Sequence, residues 1–197
     1  HGREHSFPTR RSSDLAIETA AVAAALCPER LSARLDADGM ARLRALESQV
    51  SVVADCRAIL RVGVHDRGVT ALHDATEGGV FGGLLELAKA CGGDIRVERA
   101  RVPMRPEVAI ACEVLGVAPE WSLAEGALIA CVRPAQVTAA LAALAEDGIE
   151  AADVGEVLRG TGRLWVTEPS GEVSHFDTVL PDPYWAAYAR ALHENWR

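Results

Sequence analysis

Long apolar runs are missing from this sequence. The longest, residues 20–27, falls far short of the roughly 20 residues a helix needs to cross a bilayer, so no membrane span is expected. No charged n-region, apolar h-region and small-residue cleavage site follow one another at the start, and no secretory signal is read there. Cysteine is sparse and scattered: Cys27, Cys56, Cys91, Cys112 and Cys131 are odd in number and form no C-x-x-C pair. That pattern argues against a disulfide framework or a zinc site and suits reduced, buried thiols in a cytoplasmic protein. No metal site is read from these residues. Positive charge is also in deficit, with 20 Lys and Arg against 28 Asp and Glu and a formal net charge of −8. Without a basic stripe carrying interleaved aromatics, the electrostatic footprint of a nucleic-acid binder is lacking.

What remains is an ordinary globular composition. The 197 residues, 49% hydrophobic and 24% charged, are enough for one domain with a real core. The first fifteen residues stand apart: His5-Ser6-Phe7-Pro8-Thr9-Arg10-Arg11-Ser12-Ser13-Asp14-Leu15 is polar, basic and aperiodic. It resembles the translated end of a short-read sequencing adaptor. Residues 1–15 are therefore set outside the fold, as a non-native segment or a disordered arm, and the domain is taken as residues 16–197. On this reading the natural protein is longer at its N-terminus.

From Ala16 the periodicity predicts helices over residues 17–26, stopped at Pro28, then from a cap at Asp36 or Asp38 to Leu46, then from Ser51 to Gly63. Residues 68–72 read as a buried strand, 84–91 as a helix, 94–98 as a strand and 107–115 as a helix introduced by Pro103 and Pro106. An apolar strand at 127–132, a helix at 134–146, a short strand within 149–158, a hairpin of 163–167 with 172–176 and a helical end at 184–196 complete the chain. Alternation through the middle followed by three close strands predicts an α+β fold: one layered α/β domain with a mixed β-sheet packed by helices.

The chemistry-bearing stretch joins the 68–72 strand to the following helix: Leu72-His73-Asp74-Ala75-Thr76-Glu77-Gly78-Gly79-Val80-Phe81-Gly82-Gly83. Glycine lets a backbone approach a ligand closely. The N–H groups at a helix start, aided by the helix dipole, favour an anion. The stretch reads as a loop facing a phosphorylated or carboxylate ligand. It reads equally as a tight strand-to-helix turn capped by Asp74 or Thr76, with its glycines there for packing.

His73-Asp74-Ala75-Thr76-Glu77-Gly78-Gly79, the helix after it and Ala124-Glu125-Gly126-Ala127-Leu128 further on resemble the C-terminal half of the aminoimidazole ribonucleotide (AIR) synthase, or PurM-like, superfamily. Within it the stretches look most like HypE and the AIR synthase-related proteins. Ala16-Ile17-Glu18-Thr19-Ala20, Ser51-Val52-Val53 and Gly155-Glu156-Val157 support the resemblance. It implies a PurM-like C-terminal domain of a larger parent, whose N-terminal domain would build a homodimer and hold ATP and Mg²⁺. The C-terminal domain would close over the phosphates and a small-molecule substrate during ATP-dependent phosphoryl transfer. His73 and Asp74 would then be catalytic, and Thr76, Glu77, Gly78, Gly79, Glu125 and Gly126 would bind phosphate and substrate. The alternative is a non-catalytic binding or regulatory module that keeps the fold. HypE proteins end in a tail whose terminal cysteine carries a carbamoyl group, and no cysteine follows Cys131 here, so that tail chemistry is not implied. Glu86 and Glu113 are expected at solvent, and Cys91, Cys112 and Cys131 as core thiols.

Overall fold

The computed structural model describes residues 15–196 and the backbone course of His5–Arg10; expectations for residues 1–4 and 11–14 lie outside the described residues. Among the described residues, seven strands form one sheet: β1 (His5–Arg10), β2 (Val69–Ala75), β3 (Gly93–Glu98), β4 (Ala127–Val132), β5 (Ala151–Arg159), β6 (Leu164–Thr167) and β7 (Val173–Phe176). Their spatial order is β2-β4-β1-β5-β3-β6-β7. Neighbours run antiparallel except β3 and β6, which pair in parallel with Ile95 opposite Leu164 and Val97 opposite Val166. The predicted mixed sheet is therefore present. The backbone of His5–Arg10, set aside on composition, runs as β1 between β4 and β5, with Thr9 opposite both Ile129 and Ala152. Ladder bonds use main-chain groups alone, so a segment without apolar alternation can still pair on both sides.

Among the described residues, eight α-helices pack around the sheet: α1 (Ile17–Leu26), α2 (Pro28–Ser32), α3 (Ala37–Ala45), α4 (Val53–Ile59), α5 (Gly79–Cys91), α6 (Pro106–Leu115), α7 (Val137–Glu146) and α8 (Tyr184–His193). β4 shows why its sequence is apolar without alternation. Ala127, Ile129 and Cys131 pack in one core with Val80, Phe81, Leu84 and Leu85 of α5. Leu128, Ala130 and Val132 pack in another with Ala58 and Ile59 of α4 and Ala140 and Leu144 of α7. The strand is buried on both faces, and each fully buried Leu or Ile in such layers contributes about 1.5–3 kcal/mol relative to exposure. A third core joins α1, α2, α3, α6 and α8 through Ile17, Leu31, Leu43, Leu115 and Ala191.

Several boundaries differ from the sequence expectation for identifiable reasons. Pro28 ends α1 and also opens α2, where its missing N–H is harmless. Asp36, rather than Asp38, caps α3 by accepting from the Gly39 amide at 2.7 Å. α5 begins at Gly79 instead of residue 84, so Gly82 and Gly83 are helical and buried. A Cβ on Gly83 would stand 2.9 Å from Ile129 Cδ1; the missing side chain lets the helix lie close on β4. The strand within 149–158 is long rather than short, because β5 pairs with β1 on one side and β3 on the other.

Candidate functional site

Only Thr76, Glu77 and Gly78 separate β2 from α5. Neither Asp74 nor Thr76 caps the helix: Gly78 takes the cap position with φ 77° and no side-chain cap bond forms. Gly79 follows at φ 64°, and a Cβ there would stand 2.6 Å from Glu120 O and 2.8 Å from Ser122 O. Backbone conformation and close chain packing both require glycine at that position.

Backbone bonds tie three segments together around this turn. Thr76 O accepts from Gly79 N at 3.1 Å and from Ala124 N at 3.4 Å. Leu123 O accepts from Thr19 N at 3.2 Å and from Thr19 Oγ1 at 3.0 Å. The turn, the 122–126 segment and the start of α1 thus share one rim, and carboxylates gather on it. The Glu125 amide donates to the Glu18 carboxylate. Burial, followed by the negative charges of Glu125, Asp182 and Glu77, raises the pKa of Glu18 above the ordinary glutamate value, while the Glu125 amide pulls it down. Glu18 Oε2 is buried and has no hydrogen-bond partner among the described residues. Asp182, between β7 and α8, accepts from Gly78 N at 3.0 Å and from Tyr184 N at 2.8 Å.

Of the residues singled out in the sequence, Thr76, Glu77, Gly78, Gly79 and Glu125 meet on this rim. Gly126 adjoins Glu125, and a Cβ on it would stand 2.5 Å from Gln49 O, so it makes room for the neighbouring turn. His73 and Asp74 point to opposite faces of β2, as adjacent strand residues must. The His73 ring turns toward α5, with Nε2 2.7 Å from Glu86 Oε2 and Nδ1 3.9 Å from Asp74 Oδ1. Asp74 is 64% exposed. Glu86 thus holds a histidine as well as meeting solvent, and Cys91 is exposed instead of buried. Glu18 and Asp182 were not legible as site residues. One sits inside an alanine-rich helix pattern and the other between Pro181 and Pro183, and only tertiary packing brings them to the turn.

Chemically, the rim combines helix-start amides with a ring of carboxylates, one of which keeps its proton to higher pH than an ordinary glutamate. Among the described residues, no three His, Cys, Asp or Glu are arranged to hold a metal ion. No helix of the described residues is long and apolar enough to cross a membrane. A cavity of about 740 Å³ opens at the other end of α5, lined by residues including Thr70, Leu87, Cys91, Cys131 and Arg159. None of the residues on the rim lines it, so cavity size and sequence motif point to different places, and the rim has the chemistry.

The family model for "AIR synthase related protein, C-terminal domain" matches residues 31–166. Carbamoyl dehydratase HypE of Rhizobium leguminosarum bv. viciae is 34% identical over 126 residues, which are 60% of this chain and 36% of that protein. The crystal structure of E. coli HypE, a hydrogenase maturation protein, aligns with a TM-score of 0.64 at 24% identity, covering 93% of this chain and 53% of that one. A crystal structure of hydrogenase maturation protein HypE in complex with ATP aligns with a TM-score of 0.64 at 20% identity and the same 93% and 53% coverage. The chain spans about half the length of these structures, and at that identity their likeness shows a shared fold.

Proposed function

Since this chain belongs to the AIR synthase related family and carries its C-terminal domain, we propose that it is the substrate-closing half of an ATP-dependent enzyme. The enzyme activates a small molecule by phosphoryl transfer. One observation carries the reading: backbone bonds tie the Thr76–Gly78 turn to the Glu125 segment and to α1 at the N-terminus of a 13-residue helix. Phosphoryl transfer needs donors aimed at charge developing on the transferred group. The Val80 and Phe81 amides in the first turn of α5 have no partner four residues back in the helix and point toward that end, whereas the Gly79 amide donates to Thr76 O and the Gly78 amide to Asp182. Thr76 adds a hydroxyl beside them.

The acidic rim sets a condition on the ligand. Glu18, Glu77 and Glu125 repel a bare polyphosphate and admit one whose charge is offset by a cation. No described residues cage such an ion, so Mg²⁺ enters with ATP, held mainly by a preceding N-terminal domain that also builds a homodimer. Glu125 and Glu77 then face the substrate. Of the two β2 residues assigned to catalysis, exposed Asp74 serves its reacting end, while His73, turned to α5 and paired with Glu86, positions the strand behind it. The partners are a nucleotide and a small molecule in the cytoplasm, with no nucleic acid and no membrane.

The full-length protein is expected to bind ATP·Mg²⁺ and to release ADP when given its acceptor, while the 197-residue chain alone, which keeps β1 in its sheet, turns over no ATP. Calorimetric titration and a coupled ADP assay measure both. A full-length protein that binds no nucleotide would leave the non-catalytic module as the better reading. Steady ADP production by the 197-residue chain would overturn the division of the site between two domains.

A further inference from the structure

We infer that residues 177–183, between β7 and α8, form a latch that Asp182 closes over the start of α5. An anionic phosphoryl group opens it by taking the Gly78 amide, a step that rests on the phosphate-facing reading of the same turn. The Asp182 carboxylate spans two elements: Oδ2 accepts from Gly78 N at 3.0 Å and Oδ1 from Tyr184 N at 2.8 Å. A helix N-terminus favours a negative group, and here the chain supplies its own.

Packing shows that the turn is shaped to receive the segment. A Cβ on Gly78 would stand 2.8 Å from Val179 Cγ1, and one on Gly82 would stand 3.4 Å from the same atom. Both positions leave room for Val179 to lie across the helix start. The hold is slight, however. Residues 177–181 are exposed and lie outside regular structure, with Val179 still 37% and Leu180 39% accessible. Segments with few buried contacts open at low free energy. Asp182 also repels Glu18, which Glu77 and Glu125 face as well. The closed state is therefore a carboxylate held by two amides against like charge.

A phosphoryl group offers more charge and more acceptor oxygens than a carboxylate. The cation it brings relieves the repulsion on the rim. One Gly78 N–H cannot serve both groups fully, so ligand and latch compete. Closure lowers apparent affinity by the fraction of molecules left open. Binding should free residues 177–183 and loosen the contact that joins the first turn of α8 to α5.

The test uses the whole chain with Asp182→Ser, read against Asp182→Ala. Serine still accepts from the amide two residues on, so the start of α8 keeps its bond, but its side chain is too short to bridge to Gly78. Hydrogen exchange at the Gly78 amide reports the latch, and titration with magnesium pyrophosphate, followed by amide NMR, reports the anion. Faster Gly78 exchange in both variants, with pyrophosphate binding tightened on the order of tenfold, is the expected result; that factor corresponds to a competent state about one-tenth populated. Unchanged Gly78 exchange in both variants overturns the latch. Pyrophosphate that shifts Gly78 equally well in wild type and variants also overturns it, and leaves the phosphate-facing reading standing. Pyrophosphate that moves Gly78 in no protein, neither in this chain nor in the parent with its N-terminal domain, overturns that reading and the competition with it.

Discussion

The His73 imidazole and the Glu86 carboxylate meet at 2.7 Å, Nε2 to Oε2, across the seam between β2 and α5. Glu86 is 57% exposed and His73 28%, so water screens the pair. Glu86→Ala is expected to lower stability by less than about 1 kcal/mol, because Val80, Phe81, Leu84 and Leu85 hold α5 in its core without it. Urea unfolding measures the change. A loss well above that would mean the pair, and not the packing, fixes the helix on the sheet.

Gly79 and Gly92 form an internal comparison. Both take left-handed backbone, φ 64° and 65°, but a Cβ on Gly79 meets the 120–122 backbone whereas one on Gly92 has no atom within 4 Å. Gly92→Ala should cost about 1 kcal/mol, the left-handed penalty alone. Gly79→Ala should cost about 3 kcal/mol or more, since the main chain of the next segment must also move. Equal losses in chemical denaturation would show that the 120–122 segment is free to shift.

Most of this architecture was legible in the residues. The alternation of elements, the two-faced burial of β4 and the caps follow from period, proline and glycine. The motif's composition misled on one point. Four glycines near a helix start suggest a long loop, yet Gly82 and Gly83 are helical: Gly83 lets α5 lie against the Ile129 side chain, and Gly82 stands under Val179. Such a distance is a tertiary fact with no local signal. The same holds for Glu18 and Asp182, which reach the turn from opposite ends of the chain, and for β1, whose pairing uses backbone alone.

Asp94 organises the turn between β5 and β6. Its Oδ1 accepts from the amides of Thr161 at 2.7 Å, Gly162 at 3.1 Å and Arg163 at 3.0 Å, and its Oδ2 from the Trp165 indole at 2.9 Å. Burial raises its pKa, but the Trp165 bond and then the three amide bonds outweigh it and leave the carboxyl below its ordinary 3.8. A depressed carboxyl stabilises the fold fully above its unfolded pKa, and that contribution is lost as pH falls through the folded value. Asp94→Asn should cost about 1–3 kcal/mol at pH 7, with the gap to wild type closing only as pH drops below 3.8. A gap unchanged from neutral to acid pH would show that the charge contributes nothing.

The thiols should separate by reactivity. Burial, then the charges of Glu120 and Glu113, pushes Cys112 up to about 12. Burial, then Cys91, pushes Cys131 up to about 12. The thiolate is the reactive form, so neither should alkylate in the folded protein at pH 8, whereas exposed Cys91 should label first. Peptide mass spectrometry after iodoacetamide reads the order. Labelling of Cys131 at the rate of Cys91 would mean that the cavity they share opens widely.

Glu18 should make the protein less stable as pH rises above the ordinary 4.5 of its carboxyl. Its carboxyl is raised above the ordinary 4.5 by burial and then by Glu125, Asp182 and Glu77. The protonated form is the one the fold prefers; its contribution is complete below the unfolded pKa and lost as pH rises through the folded value. Glu18→Gln removes that loss and places an amide donor among carboxylates. Thermal melts should therefore show no gain below pH 4.5 and a gain that grows as pH rises above it. Glu125→Gln offers the sharper check, since its charge is the largest of those facing Glu18. With Glu125 neutral, the gain from Glu18→Gln at pH 7 should shrink, as expected for residues sharing one interaction. Additive gains would show that burial alone, without the carboxylate ring, holds the Glu18 proton.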